Sequence, residues 1–180
     1  MYVATKVFLT KGVGQHKEKL VSFELALRNA QLASFNIVRV SSIFPPHCEI
    51  VSLKRGLKEL SPGQILHTVM ADTSTNENHR LIGSSVGIAI PRDRSHIGYL
   101  SEHHSYGDDD RTTGDYAEDI AAQMLATILA VDFDVNQSYN KRLDQWKLSD
   151  QIVKTSNITQ TAIGKAGFWI TVVAAAVLVP

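Results

Sequence analysis

The C-terminal stretch "AGFWITVVAAAVLVP" (166–180) limits the folds open to this chain more than any other segment. It is almost wholly apolar, and such a run suits either a membrane helix or a strand buried on both faces. It is about fifteen residues long, short of the roughly 18–20 that a helix needs to cross a bilayer. No basic flank follows it, and its Val and Ile content favours a strand. The stretch therefore predicts a core strand rather than a tail anchor.

The remaining periodicities predict two helices among many strands. Strands are expected over 2–10, closed by "KGVG", and over 35–40, 48–53, 65–73, 84–91, 96–104 and 151–162. A turn-rich connection is expected over 56–64 and a polar loop over 74–82. The first helix is expected over 16–33, with Leu20, Phe23, Leu27 and Ala30 on its apolar face. The second is expected over 112–133, capped by Thr112 or Thr113, with Ile120, Met124, Ile128 and Val131 on one face. Two amphipathic helices against mixed strands make an α+β layered domain. Neither repeat nor linker divides the chain, so residues 1–180 read as one domain.

Eighteen basic and eighteen acidic side chains cancel, which argues against a nucleic-acid partner or an anionic membrane surface. The one acidic run, "GDDDR" (107–111), reads as a solvated loop. A single cysteine, Cys48, excludes an internal disulfide framework and a multi-cysteine zinc site. A reducing cytoplasm is the simplest compartment. The N-terminal sequence has strand character and does not resemble a signal peptide.

Several chemistries fail on spacing. "GVG" (12–14) lacks both the Walker lysine and the full dinucleotide pattern. His103 and His104 beside Glu102 suggest a metal, yet neighbouring residues on a strand point to opposite faces. A serine hydrolase places its nucleophile on a strand-to-helix elbow, whereas Ser41 and Ser42 run into Pro45-Pro46. The serine pair in "RVSSIFPPHCEI" (39–50) therefore has two readings. In the first, two hydroxyls simply close a strand in a turn. Alternatively, a strained turn brings the Ser42 hydroxyl onto the Ser41 carbonyl carbon and shifts the peptide to an ester. Elimination then breaks the chain, and hydrolysis leaves an N-terminal pyruvoyl group at residue 42. Such a ketone condenses with an amine and accepts electrons as carbon dioxide leaves, the task usually given to pyridoxal phosphate.

The residues around that pair resemble a known family. "NIVRVSSIFPPHCEIV" is similar to the self-cleavage segment of the pyruvoyl-dependent arginine decarboxylases, and "SSVGIAIP" followed by "GYLSEHHSYG" resembles their second signature block. Block order, spacing, both helices and the alanine-rich final strand agree, so the resemblance spans essentially the whole chain. It implies a four-layer αββα sandwich assembled as a homotrimer, sometimes paired into a hexamer, with the site between subunits. It also implies cleavage into a β chain, 1–41, and an α chain, 42–180, with a covalent pyruvoyl cofactor and neither pyridoxal phosphate nor metal.

Residue by residue, the resemblance makes Ser41 the new carboxyl terminus and Ser42 the pyruvoyl source. Asn36 matches an active-site asparagine six residues before the pyruvoyl serine. Glu102 matches the glutamate that protonates the carbanion after decarboxylation. Glu24 stands where the family carries a substrate-reading aspartate, a departure of one methylene that bears on substrate preference. Leu20, one turn earlier, would line the same pocket. The substrate implied is the small molecule arginine, whose planar guanidinium pairs bidentately with a carboxylate.

Overall fold

The computed structural model describes residues 3–130, 139–140, 145–148 and 151–180. Its elements are β1 (Lys6–His16), α1 (Lys19–Asn29), β2 (Asn36–Arg39), β3 (Ile43–Phe44), β4 (Glu49–Val51), α2 (Leu53–Leu57) and β5 (Ile65–Thr75). There follow β6 (Leu81–Ile90), β7 (Gly98–Tyr106), α3 (Asp110–Ile128), β8 (Tyr139–Asn140), β9 (Gln145–Leu148), β10 (Gln151–Ile163) and β11 (Trp169–Val179). The architecture is α+β.

The apolar C-terminal run is the central strand of a five-stranded sheet ordered β2-β5-β11-β1-β4. β11 pairs antiparallel with β1 from His16↔Trp169 to Lys6↔Val179 and, on its other edge, with β5 from Ile170↔Thr75 to Leu178↔His67. Successive residues leave a strand on opposite faces, and both faces of β11 are covered. Ala174 and Ala176 join Val7 and Val69 in a core shared with Val86, Ile88 and Leu100 of a second sheet. Val173, Ala175 and Val177 join Phe8, Met70 and the α1 residues Ala26 and Ala30. The second sheet, of six strands, runs β3-β7-β6-β10-β9-β8. Ala89 on β6 packs with Ala121, Ala122, Leu125 and Ala126 of α3.

Glycines at "KGVG" do not end β1, which continues to His16. They let α1 settle onto the strand: a Cβ at Gly12 would lie 2.2 Å from the Ala26 carbonyl oxygen, and one at Gly14 would lie 2.0 Å from that of Ser22. A glycine inside a strand often marks such a close backbone approach. The helix faces differ from expectation for the same reason. α1 buries Ser22 and Ala26 and leaves Leu20 78 % exposed. α3 buries Thr113, Gly114, Ala117 and the alanines beyond, while Ile128 is half exposed; Val131 lies outside the described residues. Small side chains bring helix and sheet backbones together, while Phe23, Leu27 and Ala30 of α1 pack on the core as expected and Leu125 of α3 is fully buried.

Other boundaries shift locally. Asp109, rather than a threonine, caps α3, its Oδ1 accepting from the Thr112 amide at 2.7 Å. Ser52 caps the short helix α2 inside what the sequence suggests is strand and turn. Strands β5 and β6 extend into the expected polar loop, leaving only 76–80 between them. Residue 2 and the predicted helix end at 131–133 lie outside the described residues. Among the described residues, no helix is long and apolar enough to cross a membrane.

Candidate active site

The serine pair sits where the chain crosses from one sheet to the other. β2 lies on the edge of the first sheet, parallel to β5 from Asn36↔Ile65 to Arg39↔Thr68. β3 lies on the edge of the second, antiparallel to β7 through Ile43↔Tyr99 and Phe44↔Gly98. Residues 40–42 make the crossing. Upstream, the Val40 amide donates to the Thr68 carbonyl at 3.2 Å; downstream, the Leu100 amide donates to the Ser42 carbonyl at 2.8 Å. Between these anchors the Ile43 amide donates to the Ser41 carbonyl at 3.0 Å. That bond closes a three-residue γ-turn centred on Ser42. Pro45 and Pro46 follow at the end of β3, where their missing amide protons break the ladder. Both serines thus belong to a tight, doubly anchored turn.

Where β2 leaves β5, the backbone of Met70 loses its neighbour and finds side chains instead. Its carbonyl accepts from Arg39 Nη1 at 3.4 Å, and its N–H donates to the Glu102 carboxylate. Arg39 also pairs with Asp72. Leu100, Glu102 and His104 alternate along β7 and share one face, so the carboxylate stands about 7 Å along the strand from the residue that anchors Ser42. His104 Nδ1 lies 3.0 Å from the Asp72 carbonyl oxygen. A carbonyl only accepts, so Nδ1 carries the proton there. Desolvation pushes the Glu102 carboxyl above its ordinary value, and the Arg39 guanidinium and His104 imidazole pull it back. Glu102 is nevertheless an exposed residue of β7 in the single chain. A carboxyl whose proton is held by partial desolvation can serve as a general acid.

Beside the crossing lies an open recess of about 330 Å³, walled by Val40, Ser41, Ile43, Pro46, His67 and Leu178 among others. The volume is within the usual range for small-molecule sites. None of the lining residues is acidic.

The sequence-predicted residues divide into two groups. Ser41, Ser42 and Glu102 converge at the crossing. Asn36 begins β2, at the opposite end of a strand ~10 Å long, where its Nδ2 donates to the Gly63 carbonyl at 2.9 Å. Glu24 and Leu20 are on α1, against β1 and β11 rather than β2. Arg28 Nε donates to Glu24 Oε1 at 2.5 Å, and both side chains are exposed. Within one chain these three do not meet the serine turn in any described contact.

Arg39 and Asp72 escape the sequence reading, and His104, weighed there only as a metal ligand, has no role in it. A signal was present: Arg39 in "NIVRV" and Asp72 in "ILHTVMADT" are single charges within apolar strands. Such charges need partners when strands are packed.

Comparison with known proteins settles what this geometry belongs to. A family profile described as "Pyruvoyl-dependent arginine decarboxylase" matches residues 6–180. The chain belongs to the pyruvoyl-dependent arginine decarboxylase family. It is 57 % identical over 179 residues to a "Probable pyruvoyl-dependent arginine decarboxylase" of Chlorobaculum tepidum, covering 99 % of each chain. It is 52 % identical over 177 residues to the "Pyruvoyl-dependent arginine decarboxylase" of Nitrosopumilus maritimus, covering 98 % of this chain and 97 % of that one. A third relative, "Pyruvoyl-dependent arginine decarboxylase 2" of Methanosarcina acetivorans, is 50 % identical over 178 residues. Family members carry a covalent pyruvoyl cofactor generated by autocatalytic cleavage.

Proposed function

We propose that this protein cuts itself between Ser41 and Ser42, converts Ser42 to a pyruvoyl group, and decarboxylates L-arginine to agmatine and carbon dioxide. The observation that carries this reading is the anchored γ-turn at the serine pair, with Glu102 on the strand that holds it. Residue 42 suits the group it would carry. The bond that fixes it runs from the Leu100 amide to its carbonyl, and that bond survives loss of the amino nitrogen. The pyruvoyl ketone supplies the electron sink for decarboxylation, so neither pyridoxal phosphate nor metal is called for. Glu102 holds the proton that goes to the carbon losing carbon dioxide.

The shared clusters support reading the whole chain, 1–180, as a single domain with αββα layering: α1 on the outside of one sheet, α3 on the outside of the other, and the sheets face to face. The composition of the recess bears on assembly, and the reading is a homotrimer or a pair of trimers. A guanidinium needs an anion, and the recess beside Ser41 has none on its walls. Glu24, Leu20 and Asn36 from a neighbouring subunit would complete it. Glu24 already accepts a guanidinium, that of Arg28, and a substrate arginine would take that place. Apolar side chains exposed beside the crossing, Val3 and Ile43, suit burial by such a neighbour. The single cysteine, buried Cys48, fits a cytoplasmic setting.

Glu24→Gln tests the substrate assignment. Losing one partner of a buried charge pair costs about 2–5 kcal/mol, so kcat/KM for arginine should fall roughly 30-fold or more, with cleavage unaffected. Coexpressing Glu24→Gln and Glu102→Gln chains should restore part of the activity, because one mixed interface in each mixed trimer then pairs an intact Glu24 with an intact Glu102. No recovery would mean the residues act within one subunit. Because Glu24 is one methylene longer than the family's aspartate, another basic amino acid is the competing substrate. Product analysis by mass spectrometry over arginine, ornithine and lysine decides between them.

The Arg39–Asp72 pair gives a pH prediction. Glu102 acts only while protonated, so kcat should decline as pH rises past its pKa. Arg39 lowers that pKa; Arg39→Gln should therefore move the alkaline limb of kcat to higher pH. Asp72 raises it, and Asp72→Asn should move the limb the other way. An unmoved limb in both would show that another group supplies the proton.

A further inference from the structure

The amide of Ile43 lies outside the strand ladder, and its position beside the serine pair assigns it a task. Ile43 and Tyr99 face each other across β3 and β7. The Leu100 amide bonds the Ser42 carbonyl, which makes Ile43–Tyr99 the widely spaced kind of antiparallel pair, whose own amides are not exchanged. The Ile43 N–H is therefore spare, and it points at the Ser41 carbonyl oxygen from 3.0 Å.

We propose that the Ile43 amide is the oxyanion donor for self-cleavage. The inference rests on Ser41–Ser42 being the scissile pair. In the first step the Ser42 Oγ forms a bond to the Ser41 carbonyl carbon, and negative charge gathers on the Ser41 oxygen. The Ser41 C–N bond then breaks, and the hydroxyl proton ends on the Ser42 nitrogen, giving an ester and a free amine with no other reactant. A donor fixed in advance on the oxygen that gains charge stabilises this step without reorganisation. Fixing it falls to the two flanking bonds. Val40 is tied to Thr68, and the Ser42 carbonyl is tied to Leu100. The second tie sets the plane of the 42–43 peptide, and with it the direction of the Ile43 N–H. The sheet edges thus orient the reacting peptide through main-chain atoms alone, which explains why side-chain motifs do not reveal the donor.

The test replaces the Ile43 amide by an ester, using the α-hydroxy acid analogue of isoleucine introduced during cell-free synthesis of the full chain, with Ile43→Val as the side-chain control. Losing one oxyanion donor slows acyl chemistry roughly 10²–10³-fold. The ester-substituted chain should cleave more slowly by that factor, and Ile43→Val, which keeps the amide, should cleave at least about tenfold faster than the ester-substituted chain. During the lag, hydroxylamine should release no fragment ending at Ser41, because the Ser41–Ser42 ester has not yet formed. Cleavage within threefold of normal would overturn the proposal. So would accumulation of a chain from which hydroxylamine releases a fragment ending at Ser41, since the slow step would then be elimination; the introduced ester itself gives only a fragment ending at Ser42. Should the substituted chain not fold, hydrogen exchange in uncleaved Ser42→Ala protein decides. The Ile43 amide should be protected there, and exchange at the rate of an open loop would overturn the assignment. A natural chain that mass spectrometry finds uncut, or cut elsewhere, would instead refute the scissile pair itself.

Discussion

Ser42→Ala is expected to yield one unbroken chain with no decarboxylase activity, whereas the natural chain should separate on a denaturing gel into fragments 1–41 and 42–180. The effect is total because the hydroxyl serves twice. In the proposed mechanism it is the nucleophile that shifts the Ser41 acyl group, and its loss by elimination creates the ketone at residue 42. Alanine fits the half-buried position without disturbing the bond from the Leu100 amide to the residue 42 carbonyl, so the precursor should fold normally. The larger natural fragment should resist Edman degradation, since its terminus is a ketone rather than an amine. Cleavage of the Ser42→Ala chain at this same bond would refute the mechanism.

Glu102→Gln carries the second-largest expected effect. The amide keeps the carboxylate's shape and still accepts from the Met70 N–H, but it has no proton to give at neutral pH. Proton transfer by a positioned side chain contributes about 10²–10⁴-fold, so kcat should drop by that factor while chain cleavage proceeds. Intact-mass measurement reports cleavage, and carbon dioxide release reports turnover, so the two are read separately. Normal turnover in the variant would transfer the role to another group. His104, on the same face of β7 and in reach of the Asp72 carbonyl, would be examined first.

The long apolar strand and both principal helices were legible because burial on two faces and helical periodicity leave local marks. β11 occupies the centre that its composition demands. The helix faces were misread because large apolar residues dominate a periodicity argument. On α1 the misreading is confined to Leu20, since Phe23, Leu27 and Ala30 pack on the core as expected; on α3, Ala117 and Ala121 are buried and Ile128 faces away. The glycines of β1 looked like a turn because the helix that needs them close is a tertiary neighbour. β3 has only two residues, and nothing in "IF" announces a partner on β7 far along the chain. As for the site, residue chemistry alone left the serine pair divided between turn and cleavage, and resemblance to the family tipped it. The Arg39–Asp72 pair and the Met70 edge arise where two sheets diverge, a circumstance that no linear pattern encodes.

On the proposed cleavage between Ser41 and Ser42, the crossing at residues 40–42 makes folding a one-way event. β1 and β2 lie before the cut, yet β1 is knit between β11 and β4 and β2 is knit to β5, all of which lie after it. Once the 41–42 bond is gone, the short fragment remains interleaved with a sheet to which it is no longer attached. The uncut chain finds this arrangement as one molecule, with its parts at the roughly millimolar effective concentration that a tether provides. The cut enzyme, once unfolded, must reassemble from two separate polypeptides, and its recovery should depend on dilution. Processing therefore gives the molecule its reactive terminus and at the same stroke removes its ability to renature alone. A heat- or urea-treated preparation should regain structure readily as the Ser42→Ala precursor and poorly, in a concentration-dependent way, as the mature enzyme.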